Sequence, residues 1–244
     1  MSAAAPWAGR VAVITGASRG LGLGLAETFR EHGLALGLCA RTPPPLVGEK
    51  VVARPVDVRD AAAMRAFAEE VRDRLGPIDL WVNNAAVLEP IAFARELGAE
   101  ALLEHLRTNL AGALHGAQAF LATRAPEATL INVSSGAALK GYAGWGAYCA
   151  SKAALDRLSE CLALEEGAGG LRVFSVAPGV IDTDMQRTIR ALPPERFPEV
   201  EKFHELKRQE AFNSPRHVAE HFLRIAFDPA ARPDAVVARL PAER

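Results

Sequence analysis

The feature of this sequence that most constrains its fold is an alternation, along the whole chain, of short apolar segments with longer segments of helical spacing. Aliphatic and β-branched runs, typical of buried parallel strands, occupy residues 10–15, 34–39, 51–58, 78–86, 128–135 and 171–180. Helical spacing covers residues 61–76, 101–125, 148–166 and 215–227. Because strands that alternate with helices form βαβ units, we predict an α/β fold with a doubly wound parallel sheet and helices on both faces.

The length of the chain fits one such domain. The 244 residues contain no repeat, linker or low-complexity tract, and 50% of them are hydrophobic, which is enough for one buried core. We therefore treat residues 1–244 as a single domain, with a short last strand at 235–240. Prolines and charged residues are mixed over residues 183–213, and we predict that this segment is a lid over the substrate.

Charge and cysteine content exclude several classes of protein. Lys and Arg total 28 against 29 for Asp and Glu, so no cationic excess favours nucleic acid or an anionic membrane as a partner. No segment approaches the roughly 18 to 20 apolar residues of a membrane span, and no signal-peptide pattern is evident. Cys39, Cys149 and Cys161 form no C-x-x-C pair, which favours a reducing compartment. We expect a cytoplasmic protein.

A glycine-rich turn, TGASRGLG at residues 15–22, lies between the first strand and the first helix. Glycines with this G-x3-G-x-G spacing permit a tight turn and close approach of a diphosphate to the start of the helix. The strand before and the helix after favour a dinucleotide-binding, Rossmann-type arrangement over a turn without a ligand. The predicted cofactor contacts in this turn are Gly16, Ser18, Arg19, Gly20, Leu21 and Gly22.

The end of the second strand indicates which nicotinamide cofactor binds. NAD-preferring sites usually place an acidic residue there to accept a hydrogen bond from the ribose 2′-hydroxyl. This chain has Ala40 followed by Arg41, and Arg19 lies in the glycine-rich turn. Guanidinium groups bind phosphate bidentately, so this pair favours the 2′-phosphate of NADP(H). The alternative is that both are ordinary surface arginines.

Tyr148 and Lys152 are four residues apart and share one face of a predicted helix. Because an ammonium stabilises a nearby phenolate, we expect Lys152 to lower the pKa of Tyr148 and make it usable in acid–base catalysis. Ser135 ends the fifth strand, at the edge of the sheet where ligands bind, and its hydroxyl is suited to hold a carbonyl oxygen.

Two further patterns admit other chemistry. His217 and His221, in HVAEH, fit the H-x-x-E-H pattern of zinc metalloproteases. No third ligand at fitting spacing is evident, so we expect two solvated histidines and no metal. Cys149 has no histidine placed by sequence to activate it, and we expect a packed residue rather than a nucleophile.

The ordered motifs resemble those of the short-chain dehydrogenases/reductases over essentially the whole chain. They are TGASRGLG (15–22), Asp57-Val58, NNAA (83–86), Asn109, Ser135, YCASK (148–152) and PGVIDT (178–183). The family's usual NNAG is changed at Ala86. The chain also resembles the branch that includes sepiapterin reductases and bacterial benzil reductases, whose substrates carry vicinal carbonyls. This resemblance rests on the segments KGYAGWGAYCASKAALD, VAPGVIDTDMQ and FHELK.

The resemblance implies a role for each matched residue. Tyr148 would be the general acid/base, Ser135 would orient the carbonyl, and Lys152 would also bind the nicotinamide ribose. Asn109 would hold a water that relays protons to Lys152. The cofactor contacts implied beyond the glycine-rich turn are Arg41, Asp57, Val58, Asn83, Asn84, Ala85, Lys152, Pro178, Gly179, Ile181 and Thr183. The substrate would contact Ser135, Tyr142, Trp145, Tyr148 and Met185.

We therefore predict an NADPH-dependent carbonyl reductase that acts on vicinal dicarbonyl or related ketone substrates as a homodimer or homotetramer. Two alternatives stay open. One is a 3-oxoacyl-thioester reductase. The other is a non-catalytic NADP-binding sensor or scaffold, against which the full Asn109, Ser135, Tyr148 and Lys152 set argues.

Overall fold

The computed structural model of the protein describes residues 6–243, which form one parallel sheet between two layers of helices. The strands are β1 (Val11–Thr15), β2 (Ala35–Ala40), β3 (Val51–Pro55), β4 (Ile78–Asn83), β5 (Arg124–Val133), β6 (Leu171–Ala177) and β7 (Val237–Arg239). Their spatial order is β3-β2-β1-β4-β5-β6-β7, and every pair is parallel. The order reverses direction at β1, which leaves a crevice at the carboxyl ends of β1 and β4. The predicted doubly wound fold is confirmed.

Helices cover both faces of this sheet. They are α1 (Gly20–Glu31), α2 (Ala61–Leu75), α3 (Ala99–Leu106), α4 (Gly112–Leu121), α5 (Gly146–Glu166), α6 (Asp184–Arg190), α7 (Val200–Arg208) and α8 (Pro215–Phe227). Leu25 and Phe29 of α1 pack with Phe222 of α8 in one core, while Phe67 of α2 and Phe120 of α4 pack in the other. In the part of the chain that the structure describes, no helix combines the length and hydropathy needed to cross a bilayer.

The predicted helix over residues 101–125 is wrong in its continuity and in its end. Residues Arg107–Ala111 form a π-helical turn between α3 and α4, and Asn109 lies at its centre. The Thr123 hydroxyl donates to the Ala119 carbonyl at 2.8 Å, just before β5 begins at Arg124. A π turn changes the period by one residue over a single turn, so an Ala/Leu-rich pattern does not reveal it.

The segment 183–213 contains the two short helices α6 and α7, which an aromatic cluster packs over the carboxyl ends of the strands. Trp145, at the start of α5, stacks on Phe197 with ring centroids 4.5 Å apart, and Phe203 lies 5.4 Å from Trp145. Asp182 accepts hydrogen bonds from Arg190 of α6 at 2.9 Å and from Lys207 of α7 at 2.7 Å. One carboxylate therefore ties both helices to the connection that follows β6.

Candidate active site

A cavity of about 570 Å³ lies at the carboxyl ends of the central strands. Most of the predicted site residues line it, including three of the four predicted catalytic residues. They are Gly16, Ser18, Arg19, Gly20, Leu21, Gly22, Arg41, Asp57, Val58, Asn84, Ala85, Ser135, Trp145, Tyr148, Lys152, Pro178, Gly179, Ile181, Thr183 and Met185. The motifs that are far apart in sequence thus meet in one crevice.

Asn83 is not in the wall of this cavity, and a cofactor contact through its side chain is not supported. The side chain is buried on the opposite face, where it donates to Asn132 Oδ1 at 2.9 Å and accepts from Trp81 Nε1 at 2.8 Å. Successive side chains of a strand alternate between faces, so Asn84 turns towards the cavity instead. The Asn84 amide donates to the Thr15 carbonyl at 2.9 Å and joins the end of β4 to the glycine-rich turn.

Asn109 and Tyr142 also lie outside the wall. The Asn109 side-chain amide is buried. Its Oδ1 accepts from the Val87 N–H at 2.8 Å, and its Nδ2 donates to the Val87 carbonyl at 2.9 Å. The Tyr142 hydroxyl accepts from Lys202 at 2.9 Å, and its ring lies 5.2 Å from Trp145. Tyr142 therefore contacts Lys202 and Trp145 and does not line the cavity.

The glycine-rich turn fits the diphosphate of a dinucleotide. Gly16 has a φ of +69°, and a Cβ atom at this position would lie only 2.8 Å from the Ala85 Cα. A Cβ atom on Gly22 would lie only 2.3 Å from the Gly16 carbonyl oxygen, so the turn has room for glycine alone at both positions. Helix α1 starts with no side-chain cap and no acidic residue in its first turn. Its first N–H groups therefore keep their hydrogen-bonding capacity for an anion in the cavity.

Among residues 6–243, Arg19, Arg41 and Arg59 line the same cavity, and two of these three arginines make an ion pair there. Arg19 pairs with Asp184 at 3.0 Å, across the mouth of the cavity. Arg59 pairs with Asp57 at 2.6 Å and holds the pKa of that carboxyl below its usual value. Within residues 6–243 Arg41 makes neither a side-chain hydrogen bond nor an ion pair, although its charge helps to lower the pKa of Asp57. Arg41 is thus the guanidinium best placed to take a phosphate.

Tyr148 and Lys152 lie side by side in the wall, but burial dominates the chemistry of both. Burial raises the pKa of the Tyr148 phenol, and the nearby Ser135 hydroxyl lowers it only in part. The Lys152 ammonium is 5.8 Å from the centre of the Tyr148 ring and donates to the Val133 carbonyl at 2.7 Å. The net shift of the Tyr148 pKa is upward because burial of the phenol outweighs the Ser135 hydroxyl, and the lowering expected from Lys152 stays a prediction.

The Ser135 hydroxyl oxygen accepts a hydrogen bond from the Ala137 N–H at 3.1 Å, which fixes it at the start of a short 3-10 turn. Because this bond uses a lone pair of the oxygen, the hydroxyl proton can be donated to the Tyr148 phenol oxygen or to a ligand beside it. Ser135 and Tyr148 therefore present two O–H donors to one region of the cavity.

Asp156 and Gln186 are polar residues at or beside this site that the sequence analysis did not single out. Asp156 of α5 accepts from Ser134 at the end of β5 and from Ser175 of β6, each at 2.6 Å. Its position four residues after Lys152, on the same helix face, was the signal that could have revealed it. Gln186 of α6 lines the cavity and has a buried side-chain oxygen without a protein partner. No spacing rule singles out Gln186.

The structure also places the two further patterns of the sequence, HVAEH and Cys149. Within residues 6–243, no three His, Cys, Asp or Glu side chains are grouped so that they could hold a metal ion. The His217 and His221 rings lie 4.3 Å apart, and His221 Nδ1 donates to the His217 carbonyl at 2.8 Å. Burial raises the pKa of the Cys149 thiol, which leaves it a weak nucleophile.

Comparison with known proteins agrees with this geometry. The family model described as "short chain dehydrogenase" matches residues 10–193. A benzil reductase ((S)-benzoin forming) of Bacillus subtilis (strain 168) is 33% identical over 217 residues, which are 85% of this chain and 89% of the relative. The predicted resemblance to the benzil reductase branch is thereby confirmed.

Solved structures share the same fold. A short chain dehydrogenase/reductase from Saccharomyces cerevisiae superposes with a TM-score of 0.86 at 26% identity, covering 94% of this chain and 95% of that one. A short chain dehydrogenase from Burkholderia cenocepacia J2315, in complex with NADP, superposes with a TM-score of 0.76 at 28% identity. The match covers 96% of this chain and 89% of that one. The protein belongs to the short chain dehydrogenase family, whose members are oxidoreductases that bind nicotinamide cofactors and act on carbonyl and alcohol groups.

Proposed function

We propose that this protein is an NADPH-dependent carbonyl reductase that converts one carbonyl of a vicinal dicarbonyl to an alcohol. The observation that carries the proposal is the placement of the Tyr148 phenol in the cavity wall, with Ser135 and Lys152 beside it. The similarity to a protein named benzil reductase supports the dicarbonyl, since benzil is itself a vicinal diketone.

Tyr148 acts as the proton donor. Its raised pKa keeps the phenol protonated at neutral pH, so the O–H is ready when negative charge develops on the substrate oxygen. When bound, the reduced nicotinamide supplies the hydride that adds to the carbonyl carbon. The Ser135 hydroxyl donates to the same oxygen, and two fixed donors lower the barrier by stabilising that charge.

Lys152 supplies positive charge next to the phenolate that forms. Burial lowers the pKa of Lys152 to about 8, so the side chain is largely an ammonium at pH 7. Its bond to the Val133 carbonyl uses one of three N–H donors. The remaining donors would hold the nicotinamide ribose. Asn109 Oδ1 accepts one hydrogen bond, from the Val87 N–H, and its second lone pair would hold the water that returns a proton to Lys152.

The preference for NADPH rests on Arg41. Ala40 is buried and apolar at the position where an acidic residue would accept from a ribose hydroxyl, and the neighbouring Arg41 guanidinium lines the cavity without an ion-pair partner in the described chain. A 2′-phosphate would neutralise that charge through bidentate hydrogen bonds.

The wall next to Tyr148 suits a mostly apolar substrate with a second oxygen. Leu88, Ile189 and Met185 supply apolar surface. Trp145 Nε1 and Gln186 Oε1 are buried in the described structure without protein partners, and both residues line the cavity. Buried polar groups of this kind favour a ligand that completes their hydrogen bonds. Residues 183–213 would serve as the lid that closes over this ligand.

A side-by-side assay tests the proposal against its rivals. NADPH and NADH oxidation would be followed with benzil, with diacetyl, with a 3-oxoacyl thioester and without substrate. We expect turnover of the diketones, with NADPH preferred. Equal or faster turnover of the thioester would favour the fatty-acyl alternative, and NADPH binding without turnover of any carbonyl would favour the sensor.

A second assay tests the substrate contacts. Trp145→Phe keeps an aromatic ring against Phe197 but removes the Nε1 donor, and Gln186→Leu removes the amide. Each change should raise KM for benzil more than for deoxybenzoin, which has the same two rings and only one carbonyl. An equal effect on both ketones would argue against the second-oxygen contact.

A further inference from the structure

His105 of α3 is a buried histidine that the proposed reaction leaves without a role. Its exposed fraction is 2%, and it lies one helical turn before Asn109. Its ring meets the Tyr148 ring edge to face, with centroids 6.2 Å apart and planes at 83°. We therefore consider which groups near Tyr148 the hydrogen bonds of the His105 ring hold in place.

The hydrogen bonds of His105 determine its tautomer. Nδ1 lies 2.7 Å from the Glu89 carbonyl oxygen, which can only accept, so Nδ1 carries the proton. Burial and the positive charge of Lys152 lower the pKa of His105, and the ring is therefore neutral at neutral pH. Nε2 then holds a lone pair and accepts from the Asn109 amide at 2.9 Å.

This lone pair also determines how the Asn109 amide is turned. Asn109 Oδ1 accepts from the Val87 N–H at 2.8 Å, and Nδ2 donates to the Val87 carbonyl at 2.9 Å. A flipped amide would place its oxygen against two acceptors, the Val87 carbonyl and His105 Nε2. His105 and Val87 therefore specify a single orientation, in which Asn109 clamps the backbone of the cavity wall.

The Asn109 amide that His105 orients also reaches the helix that bears the proposed proton donor. Asn109 Nδ2 donates to Ser151 Oγ of α5 at 3.3 Å, and the Ser151 hydroxyl, 3.1 Å from His105 Nε2, donates to the Tyr148 carbonyl at 2.8 Å. We propose that His105 is a positioning residue that keeps Asn109 and the Val87–Glu89 wall in register with Tyr148. The inference rests on the proposed reductase function, because it assigns His105 to the geometry of that reaction.

Three variants separate the contacts of His105. His105→Gln retains an acceptor for Asn109, His105→Asn retains a donor for Glu89, and His105→Phe retains only the ring. We expect kcat for benzil to fall about 10²-fold in the Phe variant, because the reacting groups lose their alignment. The Gln variant should recover most of that loss and the Asn variant little, with KM for NADPH almost unchanged in all three. His32→Phe, which removes a partly buried histidine bonded to Glu220 on the other side of the sheet, should keep wild-type kcat.

A spectroscopic readout needs neither cofactor nor turnover. Imidazole ¹⁵N shifts, assigned to His105 by comparison with the Gln variant, should show a neutral ring protonated at Nδ1. Protonation at Nε2, or wild-type kcat in a folded Phe variant, would overturn the proposal. If the Phe variant does not fold, equal kcat in the Gln and Asn variants would overturn it. A wild-type protein that reduces no carbonyl would refute the proposed function instead, and the ¹⁵N shifts would still decide the bond to Asn109.

Discussion

Lys152 shows how burial of one functional side chain affects the stability of the fold. Its pKa is about 8 in the folded protein, against 10.5 for an exposed lysine. Between these values the unfolded chain holds a proton that the folded protein has released, so stability rises with pH over that range. Below pH 8 the buried charge costs the folded state roughly 3 kcal/mol, the free energy that corresponds to this pKa difference.

Lys152→Met should therefore stabilise the protein while it abolishes turnover. We expect its free energy of unfolding to exceed that of the wild type by about 1–3 kcal/mol at pH 7, the range allowing for the lost bond to Val133. The difference should vanish above pH 10.5, where the wild-type amine is neutral in both states. Urea unfolding at pH 7 and above pH 10.5 measures the difference in free energy of unfolding, with Lys50→Met, at an exposed lysine, as the control. A variant less stable than the wild type at pH 7 would show that the ammonium stabilises the fold.

Arg41 is the residue on which cofactor preference depends. Arg41→Ala should remove a charge-assisted contact of roughly 1.5–3 kcal/mol, which lowers NADPH affinity about 10- to 150-fold. NADH affinity should change little, so the ratio of the two kcat/KM values reports the effect. Arg65→Ala, which removes an exposed arginine of α2 outside the cavity wall, should leave the ratio unchanged. An unaltered ratio in the Arg41 variant would reject the phosphate contact.

Sequence reasoning identified most of the cavity wall at the level of residue identity, because the motifs follow strand ends that the sheet brings together. It did not reveal which way each side chain faces. Asn83 and Tyr142 were predicted as ligand contacts, but the pleat turns Asn83 into the core and the packing of Lys202 holds Tyr142 outside. Burial of the Tyr148 phenol, which raises its pKa, was also not foreseen, since it depends on segments distant in sequence.

At the level of elements, the segment 183–213, which we propose as a lid, is held by ion pairs as well as by its aromatic contacts. Asp182→Asn weakens two charge-assisted bonds, those to Arg190 of α6 and Lys207 of α7. Amide hydrogen exchange over residues 184–208 should become about tenfold faster, while the central strands stay protected. Glu201→Gln, which removes a comparable surface bond to Arg208 within α7, should leave exchange in α6 unchanged. Unchanged exchange in the Asp182 variant would mean that the aromatic cluster alone holds the lid.

Element boundaries followed local signals where those signals were strong. Helix α8 begins at Pro215, as predicted, and the Ser214 hydroxyl caps it by accepting from the His217 N–H at 3.1 Å. The π turn around Asn109 had no such signal. Its geometry depends on side-chain bonds to Val87 and His105, which lie on other elements or one turn away.

For the whole molecule, the sheet order follows from the alternation of strands and helices together with right-handed crossovers. That order places the ends of β1, β4 and β5 beside one another, so the glycine-rich turn, Asn84 and Ser135 face one cavity. The function that we propose depends on a single proton at the centre of this arrangement, that of the Tyr148 phenol.

Tyr148→Phe tests this account most directly, because it removes the phenol oxygen and its proton while keeping the ring against Trp145 and His105. NADPH oxidation with benzil and NADPH binding by fluorescence titration would be measured on the same preparations of wild type and variant. The account predicts a kcat at least about 10²-fold lower, the loss typical of a missing general acid, with NADPH affinity retained. Turnover close to that of the wild type would contradict the assignment of Tyr148 as the proton donor.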